Sequence, residues 1–99
     1  LNRRSERERF IQECIGQGHI VDGFIVDREH PNGAEVHSLT DNGIIIIHNL
    51  NSGVLVSKLI AREGQITRYY KHTGREPPEE YEKILELARL HESLGYNNI

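Results

Sequence analysis

The stretch SLTDNGIIIIHNLNSGVLVSKLIAR, residues 38–62, decides the fold because it sets two turn sequences among β-branched residues. The Asn-Gly pair at 42–43 is typical of a two-residue hairpin turn, and Asn-Ser-Gly at 51–53 predicts a second reversal. Connections this short join antiparallel neighbours. The four isoleucines at 44–47 place apolar side chains on both faces of their strand, so both faces of the sheet need a cover.

Similar signals extend toward the N-terminus of this stretch. Pro-Asn-Gly at 31–33 separates two further segments that are rich in β-branched residues. The sequence therefore predicts a four-stranded antiparallel meander. Its strands are expected at residues 20–28, 34–41, 44–50 and 54–61.

Helical periodicity flanks the predicted strands on both sides. An N-terminal helix within residues 3–18, which ends at Gly16 or Gly18, is predicted from an apolar stripe of Phe10, Ile11, Cys14 and Ile15. After the strands, Ile66, Tyr69 and Tyr70 predict a short helix that ends at Gly74. Residues 77–95 predict a longer apolar helix. The predicted fold is a single α+β domain over residues 1–99, with the order α-β-β-β-β-α-α.

Composition narrows the class of protein. Charged residues make up 27% of the 99 and hydrophobic residues 36%, which is typical of a soluble globular domain. No apolar run approaches the roughly 20 residues that span a bilayer, so no membrane association is expected. The single Cys14 has no partner for an internal disulfide, which favours a cytoplasmic setting. No phosphate-binding loop or paired metal motif occurs, and we expect no cofactor.

Positive charge is concentrated in one segment although the net charge is −3. Within residues 58–75 the cationic side chains alternate with Tyr69 and Tyr70, which is a pattern typical of single-stranded RNA recognition. The predicted nucleic-acid contacts are Arg62, Arg68, Lys71 and Arg75. The alternative is that these charges form an ordinary solvated surface, and that both tyrosines belong to the core.

The turn at 42–43 also predicts a pair of histidines. A two-residue loop there places His37 directly opposite His48, with their Cβ atoms about 5 Å apart. Two such imidazoles suit acid–base chemistry. They also suit metal ligation with Glu35 as a third ligand, although no typical metal-ligand spacing accompanies them. A third interpretation is that they only occupy exposed strand ends.

The face that Lys58 occupies depends on the turn at 51–53. If Gly53 is a left-handed bulge residue, Lys58 lies on the histidine face, and if residues 52–53 form a two-residue loop it lies on the other face. A glycine after two small polar residues favours the bulge. Alternatively, Lys58 only lays its stem along the sheet while its ammonium reaches water.

The predicted layout resembles the RelE/barnase/colicin-type group of bacterial ribonuclease toxins. The sequence as a whole is also similar in character to small proteins of phages and mobile elements. The resemblance covers residues 3–62 at the level of element order, and no motif is matched residue for residue. It implies metal-independent RNA cleavage, in which His37 and His48 exchange protons with the substrate. Lys58 and Arg62 would then neutralise the phosphorane, and Tyr69 would stack on a base or donate a proton.

A second functional class is a non-catalytic interaction module, such as a phage-encoded inhibitor or a homodimerising domain. The apolar stripe of residues 77–95 is wider than one small sheet needs. The expected partners are therefore RNA, a protein, or a second copy of the chain.

Overall fold

The four predicted strands form one antiparallel sheet in a computed structural model, which describes residues 18–27 and 33–95. Each strand lies inside its predicted range, and the strands follow one another across the sheet in chain order. They are β1 (Ile20–Val26), β2 (Glu35–Thr40), β3 (Ile44–Asn49) and β4 (Leu55–Ile60). The N-terminal helix that the sequence predicts lies outside the described residues.

Two helices follow the sheet, namely α1 (Glu63–Thr73) and α2 (Tyr81–Ser93). Helix α1 ends at Gly74 as predicted, since Gly74 adopts a left-handed φ of 65° and its N–H bonds to the Tyr70 carbonyl. Helix α2 begins later than predicted, after the two prolines at 77–78, because a residue before proline avoids helical angles. Neither helix is long and apolar enough to cross a membrane.

Both helices pack on one face of the sheet, here called the helix-covered face. Side chains alternate along each strand, so this face carries every second residue of β2 and β3. The core beneath the helices consists of Phe24, Leu39, Ile45, Ile47, Ala61, Ile66, Tyr70, Ile84, Leu85 and Ala88. Ile44 and Ile60 pair with each other on the opposite face and are also buried. The isoleucine run therefore buries side chains on both faces, as predicted.

The turn between β2 and β3 differs from the prediction. Gly43 has a φ of +79°, but no described residue other than glycine has a positive φ. A two-residue turn of the predicted type requires positive φ at both central positions, and Asn42 does not provide it. Instead, the Gly43 N–H bonds to the Thr40 carbonyl at 3.1 Å, and the Ile44 N–H bonds to the Thr40 hydroxyl. The loop thus contains residues 41–43.

This extra loop residue moves the register of β2 against β3 by one position. His37 pairs with Ile47, and His48 pairs with Val36. Because successive side chains alternate between faces, a shift of one residue places the two imidazoles on opposite faces of the sheet. The predicted cross-strand histidine pair is therefore wrong.

The turn between β3 and β4 contains the left-handed glycine that the bulge interpretation requires. Gly53 has a φ of +74°, and the register slips between Ile47 and His48. Lys58 pairs with Ile46, so it shares a face with His48 and not with His37. The glycine prediction is confirmed, but there is no shared face that holds both histidines and Lys58.

Candidate functional site

Three side chains form a hydrogen-bonded chain on the helix-covered face. Glu35 and His37 lie two residues apart on β2, and His37 Nε2 lies 3.2 Å from a Glu35 carboxylate oxygen. His37 Nδ1 lies 2.5 Å from the Tyr69 hydroxyl. A carboxylate only accepts hydrogen bonds, so Nε2 donates to Glu35, and in the neutral imidazole Nδ1 then accepts the Tyr69 proton. We call this chain of three residues the relay.

Helix α1 positions Tyr69 over the histidine. Ile66 and Tyr70 face the core from this helix, which places Tyr69 at the edge of the packed stripe. Its ring stacks on Phe24 with 4.7 Å between the centroids and 14° between the planes. The side chain of His37 is consequently covered, and the residue is only 3% exposed. Contacts with Tyr69 on one side and with Glu35 on the other restrict the rotamers of His37.

Tyr70 has a structural role beside the relay. Its hydroxyl donates to Asp22 at 2.9 Å, and its ring packs edge-on against Phe24. Burial raises the pKa of Tyr70 well above its usual value, and the hydrogen bond to Asp22 acts in the same direction. Of the two adjacent tyrosines, Tyr70 therefore belongs to the core and Tyr69 borders a groove.

The relay opens onto a groove of about 460 Å³ between β1 and α1, here called the helix groove. His37 and Tyr69 both line it. Arg68 and His72, one helical turn apart on α1, add a cation and a second imidazole to the same groove, whereas Asp27 adds a carboxylate at the end of β1. Arg68 and His72 also line a shallower depression with Lys71. This side of α1 suits an anionic ligand.

A second groove, of about 550 Å³, lies on the other side of Glu35 and is here called the turn groove. It is bordered by the turn between β3 and β4. The described residues that line it are Gly33, Glu35, Asn49, Asn51, Ser52, Val54 and Val56. Since Glu35 bonds to His37, the relay stands where the two grooves approach each other.

The structure gathers some of the sequence-predicted site residues and separates others. His37, Tyr69 and Arg68 meet in the helix groove, and Lys71 lies next to it. His48 and Lys58 lie on the opposite face of the sheet. Arg62 occupies the N-cap position of α1, makes no side-chain capping hydrogen bond there, and is exposed.

Arg75, which the sequence predicts as a nucleic-acid contact, is engaged inside the domain. Its guanidinium pairs with Asp22 at 3.0 Å and donates to the Gly23 carbonyl at 2.7 Å. It also lies over the Phe24 ring, 4.4 Å from the centroid. These contacts tie the segment after α1 to strand β1.

The sequence patterns do not predict an acid–base or anion-binding role for two residues of the site, Glu35 and His72. Glu35 is predicted only as a metal ligand, although a Glu-x-His spacing on a strand puts both side chains on one face. His72 received no functional role. Its spacing of four residues from Arg68 on a helix was a signal that the two share a surface.

Within the described residues, no group of three or more His, Cys, Asp or Glu side chains is arranged to hold a metal ion. Comparison with known proteins gives no match to a protein family, to a curated protein or to a solved structure.

Proposed function

We propose that this domain binds RNA and cleaves it at the helix groove, with the relay as its acid–base group. The observation that supports the proposal is the bonding of Tyr69 to a buried His37 that is itself held by Glu35. A base oriented by a third group is the arrangement that activates hydroxyls in hydrolytic sites. Here the predicted partner of His37, the His48 imidazole, is replaced by a phenol.

The chemistry follows from the direction of the hydrogen bonds. The ribose 2′-hydroxyl gives its proton to the Tyr69 oxygen while the Tyr69 proton passes to His37 Nδ1, and Glu35 stabilises the imidazolium. The 2′ oxygen bonds to phosphorus, and the bond from phosphorus to the 5′ oxygen breaks. The relay returns the proton to the 5′ oxygen. The products are a 2′,3′-cyclic phosphate and a 5′-hydroxyl end, with no net change in protons.

Charge beside the relay supports the same proposal. Arg68 lies in the helix groove with Tyr69, and Lys71, three residues further along α1, extends the positive surface. Fixed cations next to a reacting phosphate stabilise the negative charge that develops in the transition state. Of the two cations that the resemblance assigns to this task, Lys58 lies on the far side of the sheet and Arg62 lies at the N-cap position of α1.

Replacing Tyr69 with Phe tests the proposal, because it removes the hydroxyl and keeps the ring stacked on Phe24. We expect cleavage of a labelled single-stranded RNA, measured in EDTA, to fall about 100-fold or more, with unchanged folding by circular dichroism. Replacing Arg68 with Gln should weaken RNA binding, whereas Lys83→Gln on α2 is the matched control. Full activity in the Phe variant, or intact RNA with the parent protein at micromolar concentration, contradicts the proposal.

The variant His48→Ala separates the relay from the predicted histidine pair. With His48 on the opposite face, its removal should leave cleavage unchanged. Loss of cleavage in His48→Ala, with activity kept in Tyr69→Phe, would place the chemistry on that opposite face.

A second candidate function is a protein-interaction module, and α2 provides the observation that favours it. Ile84, Leu85 and Ala88 face the core, but Leu90 and Leu94 are 51% and 58% exposed. These two leucines lie four residues apart, so they form one apolar strip pointing away from the core. Such a strip suits a second copy of the chain.

The test for this candidate is the mass of the protein in solution. A dimer that Leu90→Lys converts to the 11.4 kDa monomer, by light scattering after gel filtration, supports it. Glu86→Lys, an exposed charge change on the same helix, serves as the control. A monomer at 100-fold varied concentration contradicts a homodimer at this strip.

A further inference from the structure

We propose that the turn groove is a nucleobase pocket, so that the two grooves together hold one nucleotide unit of an RNA strand. This inference rests on the proposed function, since it assigns the substrate base to a site beside the relay. It selects for a base with an exocyclic amino group, and Glu35 and Asn51 read that base.

The chemistry of the turn groove differs from that of the helix groove. Its described lining contains no Lys, Arg or His side chain, and Glu35 is its only charged residue. A phosphate in this groove would lie next to a carboxylate without a compensating cation. The groove therefore suits a neutral group.

The remaining lining suits a flat group that forms hydrogen bonds. Val54 and Val56 are more than half exposed, and both line the groove, so they offer apolar walls. Asn51 contributes an amide, which both donates and accepts. A nucleobase needs this combination, because its faces are apolar and its edge is polar.

The Asn51 amide lies close to the Gly33 backbone across the groove. A Cβ on Gly33 would lie 2.7 Å from Asn51 Nδ2, and Gly33 has a left-handed φ of 84° that favours glycine. On the other side, Asn49 Oδ1 accepts hydrogen bonds from the main-chain N–H groups of Asn51 and Ser52 at 3.0 and 2.9 Å. The amide is thus carried by an ordered turn.

The two grooves have complementary chemistry and approach each other at the relay. The helix groove has Arg68 and His72 for an anion, and the turn groove has an amide, a carboxylate and two valines for a neutral ring. The bonded pair of Glu35 and His37 links them across 3.2 Å. A nucleotide has this same division between an anionic phosphate and a neutral planar base.

Glu35 sets the expected base preference. A carboxylate accepts from the amino groups of adenine or cytosine, as glutamate accepts from cytosine N4 in nucleic-acid readout. Uracil has no amino group, and its single N–H lies between two carbonyl oxygens that a carboxylate repels. We therefore expect oligoadenylate and oligocytidylate to bind more tightly than oligouridylate.

Fluorescence anisotropy with labelled eight-nucleotide RNAs of A, C or U, at one fixed salt concentration, tests the pocket. The parent chain should bind the A or C strand about 5-fold or more tightly than the U strand. Asn51→Ala, on the exposed turn, should reduce that difference to less than about 2-fold while U binding is kept. Val56→Ala removes part of the apolar wall and should weaken the binding of all three strands, and Lys83→Ala is the control.

The outcomes separate this inference from the proposed function. Equal binding of all three RNAs by the parent chain, or an unchanged preference in Asn51→Ala together with unweakened binding in Val56→Ala, overturns the base pocket and leaves RNA binding intact. Failure of the parent chain to bind any of the three strands overturns the proposed function, and the pocket with it.

Discussion

His91 shows how position in the fold overrides the usual behaviour of a side chain. It lies in the last turn of α2, where the helix dipole favours a protonated imidazole. However, it is buried, and its ring lies 3.8 Å from where a Cβ on Gly43 would stand. Burial outweighs the dipole and lowers the pKa of His91 below its ordinary value. The neutral imidazole thus packs against the turn between β2 and β3.

This burial predicts a loss of stability in mild acid. The unfolded chain protonates His91 near its ordinary pKa of 6.5, whereas the folded protein resists protonation until lower pH. The contribution of His91 is therefore complete above pH 6.5 and is lost as the pH falls toward the lower folded pKa. Urea midpoints at pH 7.5 and 5.5 should differ less in His91→Leu than in the parent chain. An equal difference in both proteins would contradict this assignment.

At the scale of elements, the two edges of the sheet are protected in different ways. On β1, the Gly23 N–H bonds to the Asp22 carboxylate at 2.8 Å and its carbonyl accepts from Arg75, so two main-chain groups of the strand are occupied by side chains. On β4, the strand contains a register slip and carries the charged Lys58. These features of the two edge strands disfavour pairing with strands of other molecules. Arg75 thus belongs to the stability of the sheet.

Replacing Arg75 with Ala tests that role. The change removes the ion pair with Asp22, the bond to Gly23 and the contact with Phe24. We expect the free energy of unfolding, measured in urea, to fall by about 1 kcal/mol. Sedimentation velocity should also show more self-association, because the Gly23 carbonyl becomes available. Lys83→Ala is the matched control, and a change no larger than in that control would refute the structural role.

At the scale of the whole molecule, the charges are distributed unevenly. Helix α1 presents Arg68 and Lys71 outward, whereas residues 76–93 carry six Glu against Lys83 and Arg89. The two helices are joined where Arg89 of α2 pairs with Glu63 at the start of α1, and the Glu63 N–H bonds to Glu92. Two of the acidic side chains, Glu63 and Glu92, are therefore engaged in contacts within the protein. Under the proposed function, the net charge of −3 implies that RNA approaches one side of α1 and not the molecule as a whole.

The strand order and both described helices followed from local patterns, because turn residues and apolar periodicity act over a few neighbouring positions. The same is true of the left-handed glycines at 43, 53 and 74, since few other residues tolerate that conformation. Two apolar faces in the isoleucine run were also readable, because four consecutive β-branched residues leave neither face polar. These features were determined by the sequence alone.

The register between β2 and β3, and with it the site, was decided only by the tertiary structure. An alternating strand reveals its register through its polar face, but residues 44–47 are apolar on both faces and tolerate a shift of one position. The choice therefore depended on the conformation of one loop residue, Asn42, which the residue type does not specify. His37 came to face Tyr69 from a helix more than 30 positions away along the chain, and only packing brings such residues together.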